Sequence, residues 1–239
     1  MRAAPASVSP TPSYVIQGRT VTMPAVVRDA STGNAIFLVP AAVAQRLVGD
    51  GYNVVEMMPG QTQLVLGFVD YRDNDLGDYN EVMIVFMVRP AGQPDAPEGT
   101  YIYKLPVNQS FTCDAGRTIW GFPKSVERIE IAYAADHATC RLEMGGQHVL
   151  SLTVPRAPVE AADAPDLEMT TYTYLNGRSA VRFTTGGPTA VSAGADGVVL
   201  ELGTHPIANE LRQLGLPAPA MMSTWNEHMH GSFDAPQAV

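Results

Sequence analysis

The sequence has little of what marks a nucleic-acid-binding or membrane-spanning protein. Its 239 residues carry 15 Lys and Arg against 24 Asp and Glu, which gives a net charge of -9 and a pI near 4.9. This balance argues against nucleic-acid binding, which needs a basic face for phosphates. No apolar run has the length of a membrane-spanning helix, and residues 1–12 have no hydrophobic signal core. We therefore expect a soluble, cytoplasmic protein with neither nucleic-acid nor membrane partners.

Cysteine is also scarce. Cys113 and Cys140 are too few for a disulfide framework, and neither has a neighbouring metal-ligand pattern, so reduced structural thiols are favoured. His228 and His230 would share one face of a strand, a spacing compatible with metal. A metal site needs further ligands, however, and no third donor is evident. The sequence therefore predicts no metal site.

Lysine is the scarcest charged residue, with only Lys104 and Lys124 against thirteen arginines. Lys124 follows the apolar residues Ile119, Trp120 and Phe122, which could form a low-dielectric wall and lower the lysine pKa from about 10.4. A desolvated amine can lose its proton near neutral pH and attack a carbonyl, which a guanidinium cannot do. The alternative is a turn lysine whose ammonium reaches solvent, the commoner fate of a single lysine.

Strand patterns outnumber helix patterns along the chain. β-branched or alternating apolar residues predict strands at 64–70, 81–89, 100–105, 126–133, 138–144, 147–154, 167–175, 180–184 and 198–202. Gly145-Gly146 predicts a two-residue hairpin, and Asn176-Gly177 predicts a further turn. Apolar residues on one face predict helices at 40–48 and 206–214.

Successive hairpins with few helices favour an α+β fold that is predominantly antiparallel β. We expect a closed or curved β-barrel-like double sheet with a few short helices, because closure removes unpaired strand edges. Length and composition fit one domain over 14–239, preceded by a flexible segment over 1–13. The connector 155–165, rich in Pro, Ala and Asp, is interpreted as a loop within that domain.

Two short motifs resemble the acetoacetate decarboxylase family. Trp120-Gly121-Phe122-Pro123-Lys124 is similar to the family's Pro-Lys signature, and Tyr79-Asn80-Glu81 is similar to its Tyr-x-Glu element. Their order and spacing extend the resemblance over roughly residues 14 to 235. The resemblance implies the family's fold, an imine between Lys124 and a keto acid, no metal or organic cofactor, and a homo-oligomer.

The resemblance also implies roles for other residues around such an imine. Glu81 would act as acid and base, and Tyr79, two residues away on a strand, would face the same pocket. An arginine would bind the substrate carboxylate through its planar fork. Arg28 is the favoured candidate, with a hairpin extension at 31–34 before the 36–39 strand, and Arg19 is the alternative. The aromatic pair Trp120 and Phe122 is also expected to bind the substrate.

Two positions depart from the family pattern. Ser125 stands where a second lysine usually follows the nucleophile, so desolvation alone would have to lower the Lys124 pKa unless Lys104 or an arginine approaches. No carboxylate occurs near Gly67, where the family usually carries one. Imine chemistry is therefore a safer prediction than one reaction. Decarboxylation of a β-keto acid is preferred, with aldolase-dehydratase or related pyruvate chemistry and a non-catalytic keto-acid-binding domain as alternatives.

Overall fold

A computed structural model describes residues 11–157 and 165–239. Within these residues the chain forms eighteen strands, three α-helices and one π-helical turn. In chain order the strands are β1 (Ser13–Ile16), β2 (Arg19–Thr22), β3 (Ala25–Pro40), β4 (Tyr52–Val54), β5 (Glu56–Met58), β6 (Gln61–Asn74), β7 (Tyr79–Pro90), β8 (Gly99–Val107), β9 (Lys124–Val126), β10 (Arg128–Tyr133), β11 (His137–Met144), β12 (Gln147–Pro155), β13 (Leu167–Tyr174), β14 (Arg178–Gly186), β15 (Thr189–Ala193), β16 (Val199–Leu202), β17 (Met222–Phe233) and β18 (Gln237–Ala238). The helices are α1 (Ala41–Val48), α2 (Ser110–Ala115) and α3 (Pro206–Gln213), and the π-helical turn is Gly116–Trp120.

Seven of the strands close into a barrel. The neighbours follow the order β17, β3, β6, β7, β8, β13 and β14, and β14 pairs again with β17. Every neighbouring pair is antiparallel except β8 with β13. A separate antiparallel sheet has the order β10, β11, β12, β16. The predicted antiparallel, barrel-like fold with few short helices is confirmed.

The pairing of β6 with β7 shows how the barrel wall separates two hydrophobic cores. Val69 lies opposite Glu81, and Tyr71 lies opposite Tyr79. Because paired residues share one face of a sheet, these four side chains point together into the barrel. The neighbouring Phe68 points the other way, into a core that the barrel wall forms with the sheet β10, β11, β12, β16 and with α1 and α3.

Of the described helices, only α2 contributes to the core inside the barrel. Gln109 caps its first turn by accepting a hydrogen bond from the backbone N–H of Thr112 at 2.7 Å. The π-helical turn follows directly and ends at Gly121, whose φ of 70° lies in the left-handed region. A Cβ at Gly121 would also meet the carbonyl oxygen of Tyr174, so both conformation and space require glycine here. None of the described helices has the length and hydropathy needed to cross a membrane.

The predicted strands and both predicted helices are present, with ends displaced by a few residues. The Gly145-Gly146 hairpin is confirmed, since both glycines have positive φ and Met144 pairs with Gln147. The strand predicted at 126–133 is interrupted at Glu127, which lies between β9 and β10. Residues 1–10 of the predicted flexible segment and 158–164 of the predicted connector lie outside the described residues.

The predicted hairpin extension at 31–34 is wrong. Residues 31–34 lie inside the continuous strand β3, where all four pair with β6 and residues 32–34 also pair with β17. Gly33 is required there for close approach rather than for a turn, because a Cβ would meet the side chains of Phe68 and Val154. Two long partner strands thus override the local turn signal of Ser, Thr, Gly and Asn.

Candidate active site

Lys124 is buried at the start of β9. It lies opposite Leu105 of the parallel neighbour β8, and only 6% of the residue is exposed. Gly116 in the π-helical turn lets the lysine side chain pass, since a Cβ there would lie 2.5 Å from Cδ and 2.7 Å from Cε of Lys124. The tight turn before β9 therefore directs the lysine side chain inward, away from solvent.

The Lys124 ammonium is surrounded by acceptors. Its Nζ lies 2.8 Å from Oε2 of Glu81 and donates to Oγ1 of Thr112 at 3.0 Å. The ring of Tyr79 lies 4.9 Å from the same nitrogen, as a cation–π partner. Lys124 and Glu81 thus form a buried ion pair, and Thr112 and Tyr79 make further contacts with the ammonium.

The prediction that the pKa of Lys124 is lowered is wrong. Burial does lower it, but the Glu81 carboxylate and Tyr79 together outweigh burial and hold the pKa above its usual value. The apolar wall alone would lower the lysine pKa, but the anion 2.8 Å away reverses the direction of the shift. Lys124 is therefore an ammonium in the resting protein, and Glu81 is placed to take its proton.

Two tyrosines beside this pair remain protonated at neutral pH. Burial is the main cause that raises the pKa of Tyr79 to about 12, against the opposing effect of the Lys124 ammonium. Burial, together with the negative charge of Glu81, raises the pKa of Tyr71 well above its usual range. Their rings stack with centroids 4.5 Å apart. Both hydroxyls are hence available as hydrogen-bond donors.

A small cavity of about 40 Å³ opens at the Lys124–Glu81 pair. Trp120 and Phe122 stack along its wall with ring centroids 5.7 Å apart, and the Trp120 indole donates to the Asp234 carbonyl oxygen at 2.8 Å. The residues that line the cavity are Tyr71, Leu76, Tyr79, Glu81, Ile102, Leu105, Trp120, Phe122, Lys124 and Phe233. Among these lining residues of the described chain, Lys124 is the only cation.

The structure does not bring either candidate arginine to the cavity. Arg28 is 47% exposed and binds Asp73 at 2.8 Å and Asp75 at 2.7 Å. The reason is the alternation of β3: Val27 is buried in the core inside the barrel, so Arg28 faces outward. Arg19 is exposed and lies over the ring of Phe111 at 3.9 Å. The predicted role as carboxylate anchor therefore has no geometric support for Arg28 or for Arg19.

The other lysine and the histidine pair lie in separate surroundings. The ammonium of Lys104 lies over the ring of Tyr103 at 4.4 Å. His228 contacts Asp29 at 3.0 Å, and His230 contacts Asp166 at 3.2 Å. The described residues contain no group of three or more metal-ligating side chains.

The sequence reasoning missed Thr112 and Tyr71. Thr112 lies on α2, which was not predicted because its cap is a glutamine, and Ser, Thr, Asp and Asn are the usual cap residues. Tyr71 follows Val69 at the spacing of two residues that places both on one face of β6. That spacing, together with the pairing of β6 with β7, places Tyr71 on the same face as Tyr79 and Glu81.

Comparison with known proteins gives one family match and several structural matches. The family model described as acetoacetate decarboxylase (ADC) matches residues 7–216. No curated protein matches the sequence.

The structural matches have the same fold at low sequence identity. Acetoacetate decarboxylase from Legionella pneumophila subsp. pneumophila str. Philadelphia 1 is 16% identical, with 100% of this chain and 92% of that chain covered and a TM-score of 0.66. The enduracididine biosynthesis enzyme MppR, solved with pyruvate, is 14% identical, with 91% of each chain covered and a TM-score of 0.63. MppR has also been solved with the condensation product of pyruvate and imidazole 4-carboxaldehyde. Identities this low show the fold alone.

Proposed function

The chain belongs to the acetoacetate decarboxylase family, and we propose that it is an enzyme that forms a Schiff base between Lys124 and a small keto acid. The observation that carries this proposal is the buried pair of Lys124 and Glu81, 2.8 Å apart at an aromatic-walled cavity. The pair supplies a nucleophilic amine and, within hydrogen-bond reach, a base that can take its proton.

Imine formation then proceeds with the groups in place. Transfer of one proton from Lys124 to Glu81 frees the lone pair of Nζ, which attacks the keto carbon and forms a carbinolamine. Glu81 returns the proton to the departing hydroxyl, which leaves as water while the C=N bond forms. The balance is ammonium plus ketone giving iminium plus water, with no net change in charge.

Decarboxylation is the reaction we propose for this iminium. The positively charged C=N accepts the electron pair of the breaking C–C bond of a β-keto acid, which releases CO₂ and leaves an enamine. One proton from solvent, passed to the enamine carbon by Glu81, restores an iminium, and hydrolysis of that iminium then releases the ketone and the lysine ammonium. The alternative is condensation of pyruvate with an aldehyde, which would use the same imine. The structure of MppR with a condensation product of pyruvate favours considering this alternative.

The cavity has to widen before such a substrate binds. The cavity measures about 40 Å³, whereas a keto acid contains six or more heavy atoms. Leu76, Trp120, Phe122 and Phe233 form the apolar part of the wall together with Ile102 and Leu105. Rotation of these side chains is the adjustment that we expect on binding.

The decisive test is to trap the imine. Incubation with acetoacetate or pyruvate, followed by borohydride reduction and peptide mass spectrometry, should show the adduct on Lys124. The chain offers a matched control, because Lys104 is its only other lysine. Lys104→Arg should retain the adduct and Lys124→Arg should lose it. An adduct on Lys104 alone, or none with any keto acid, would refute the mechanism.

A second measurement separates the reactions. CO₂ release from β-keto acids is compared with the ultraviolet absorbance of a conjugated product from pyruvate and an aldehyde, each beside Lys124→Arg. Lysine-dependent CO₂ release supports the decarboxylase proposal, and conjugated product without CO₂ release supports the condensation alternative. A trapped imine with no turnover of either kind would identify a keto-acid-binding domain.

A further inference from the structure

The charges around the cavity balance before any substrate binds. Lys124 supplies one positive charge and Glu81 one negative charge, and side-chain exposure is only 4% and 8%. The other titratable groups facing Glu81 are Tyr79, two residues away on β7, and Tyr71 on β6, both neutral at physiological pH. The α2 residue nearest the ammonium is Thr112, which does not titrate. The site is therefore a neutral, buried pair.

A keto acid brings a second negative charge into this site. Burying an anion without a partner is strongly unfavourable, since neither water nor a counter-ion then stabilises it. No second cation is available at the cavity among the described residues, because Arg28 faces outward and is held by Asp73 and Asp75. One lysine cannot balance two carboxylates, so one of the two has to lose its charge.

The geometry points to Glu81 as that carboxylate. We propose that each keto-acid anion is held as the iminium together with one proton, which Glu81 takes up once the iminium has formed, so that the Lys124 cation is left to balance the substrate carboxylate. Glu81 is the group suited to this role because it already shares a proton-transfer contact with Nζ at 2.8 Å. This inference rests on the proposed Schiff-base chemistry and adds a proton to its binding step.

The reaction balances with this proton. A β-keto acid anion and one proton enter. Glu81 passes the ammonium proton to the departing hydroxyl as the iminium and water form, and it then holds the entering proton, so it is neutral beside the iminium. Loss of CO₂ uses the electron pair of the carboxylate to form a neutral enamine. The protonated Glu81 then gives its proton to carbon, which regenerates the iminium beside an ionised Glu81. The proton that decarboxylation consumes is thus taken up at binding, before any CO₂ is lost.

Substrate charge then determines how binding depends on pH. With one proton taken up per anion, affinity for a keto acid should fall about tenfold for each pH unit over the range in which that proton is taken up. A neutral ketone such as acetone forms an iminium with no charge to compensate, so its binding should not change over the same range. The same site therefore distinguishes substrates by charge without a guanidinium.

Isothermal titration calorimetry of the full chain tests the inference. Pyruvate, which forms an imine but has no β-carboxylate to lose, is titrated at one pH in buffers of different ionisation enthalpy, and acetone serves as the neutral control. The slope of heat against buffer enthalpy should correspond to one proton for pyruvate and none for acetone. Borohydride trapping on the same samples measures imine formation independently.

Glu81→Gln provides the matched variant, because glutamine has the same shape and no charge to give up. Proton uptake with pyruvate should disappear at pH values low enough for Lys124 of the variant, without its anion, to remain an ammonium. A trapped pyruvate imine with no proton uptake in the unmodified protein would overturn this inference and leave the Schiff-base proposal standing. Absence of any trapped imine would refute both.

Discussion

Three acceptors surround one nitrogen in this site, and each contributes differently to its protonation state. Glu81 carries a full charge 2.8 Å from Nζ, Tyr79 presents its ring at 4.9 Å, and Thr112 contributes a neutral hydroxyl at 3.0 Å. Thr112 has no exposed surface, and the cap hydrogen bond to its backbone N–H fixes the helix turn that carries it. It can therefore be tested apart from the ion pair.

Thr112→Val should lower the pKa of Lys124. The variant keeps the shape of the side chain and removes an acceptor of the ammonium, and a hydrogen bond to a charged group contributes about 1.5–3 kcal/mol. Since a pKa unit corresponds to about 1.4 kcal/mol, we expect the pH dependence of borohydride trapping to move about one unit toward lower pH. Thr112→Ser should retain the original profile. An unchanged profile in Thr112→Val would show that the hydroxyl has no effect on the amine.

At the scale of elements, β3 and the segment from α2 to β9 set the composition of the site. The alternation of β3 turns Arg28 outward while Val27 enters the core inside the barrel. The π-helical turn after α2 brings Gly116 against the Lys124 side chain and leads the chain into β9. One element thus keeps a cation out of the cavity, and the other carries the lysine into it.

Arg28→Ala should leave keto-acid binding unchanged. The guanidinium is half-exposed and bound to Asp73 and Asp75, and exposed ion pairs contribute little to stability. The yield of trapped pyruvate imine, measured as a function of pyruvate concentration, should match that of the unmodified protein. Arg19→Ala serves as the parallel variant. A severalfold loss of affinity in Arg28→Ala alone would restore the carboxylate-anchor role predicted from sequence.

For the whole molecule, the buried ion pair and the buried tyrosines make the free energy of unfolding depend on pH in the alkaline range. The folded-state pKa of Lys124 is raised, so its stabilising contribution is present below its unfolded pKa of about 10.4 and is lost as pH rises through the folded value. Tyr79, raised from 10.0 to about 12, acts in the same direction, because the unfolded state loses the tyrosine proton first. Stability should therefore decrease between about pH 10 and pH 12.

Tyr79→Phe should flatten that decrease. Phenylalanine keeps the ring and cannot ionise, so the contribution of this residue, about 3 kcal/mol for a shift of about two units, should be missing from the pH dependence. Urea unfolding at steps from pH 8 to pH 12 gives the free energy of unfolding for each variant. Tyr174→Phe, on a side chain 45% exposed, is the control for loss of a tyrosine hydroxyl outside the cavity. Equal slopes in all three proteins would contradict the assignment to Tyr79.

Local patterns in the sequence determined much of the fold and part of the site. Alternating apolar residues identified the strands, and the glycine pair identified the hairpin between β11 and β12, because side-chain alternation and turn conformation depend on neighbouring residues only. The same alternation predicted that Tyr79 and Glu81 share a face, and the apolar string identified Lys124. These features could be predicted before any long-range contact was known.

The tertiary structure decided what depends on residues far apart in the chain. Pairing with β6 and β17 made β3 continuous where the sequence indicated a turn, and so turned Arg28 away from the cavity. Burial brought Glu81 to Lys124 across 43 positions of sequence, which reversed the expected direction of the lysine pKa shift. The balance between burial and a nearby anion depends on a distance of a few ångströms, and that distance is fixed by packing rather than by local sequence.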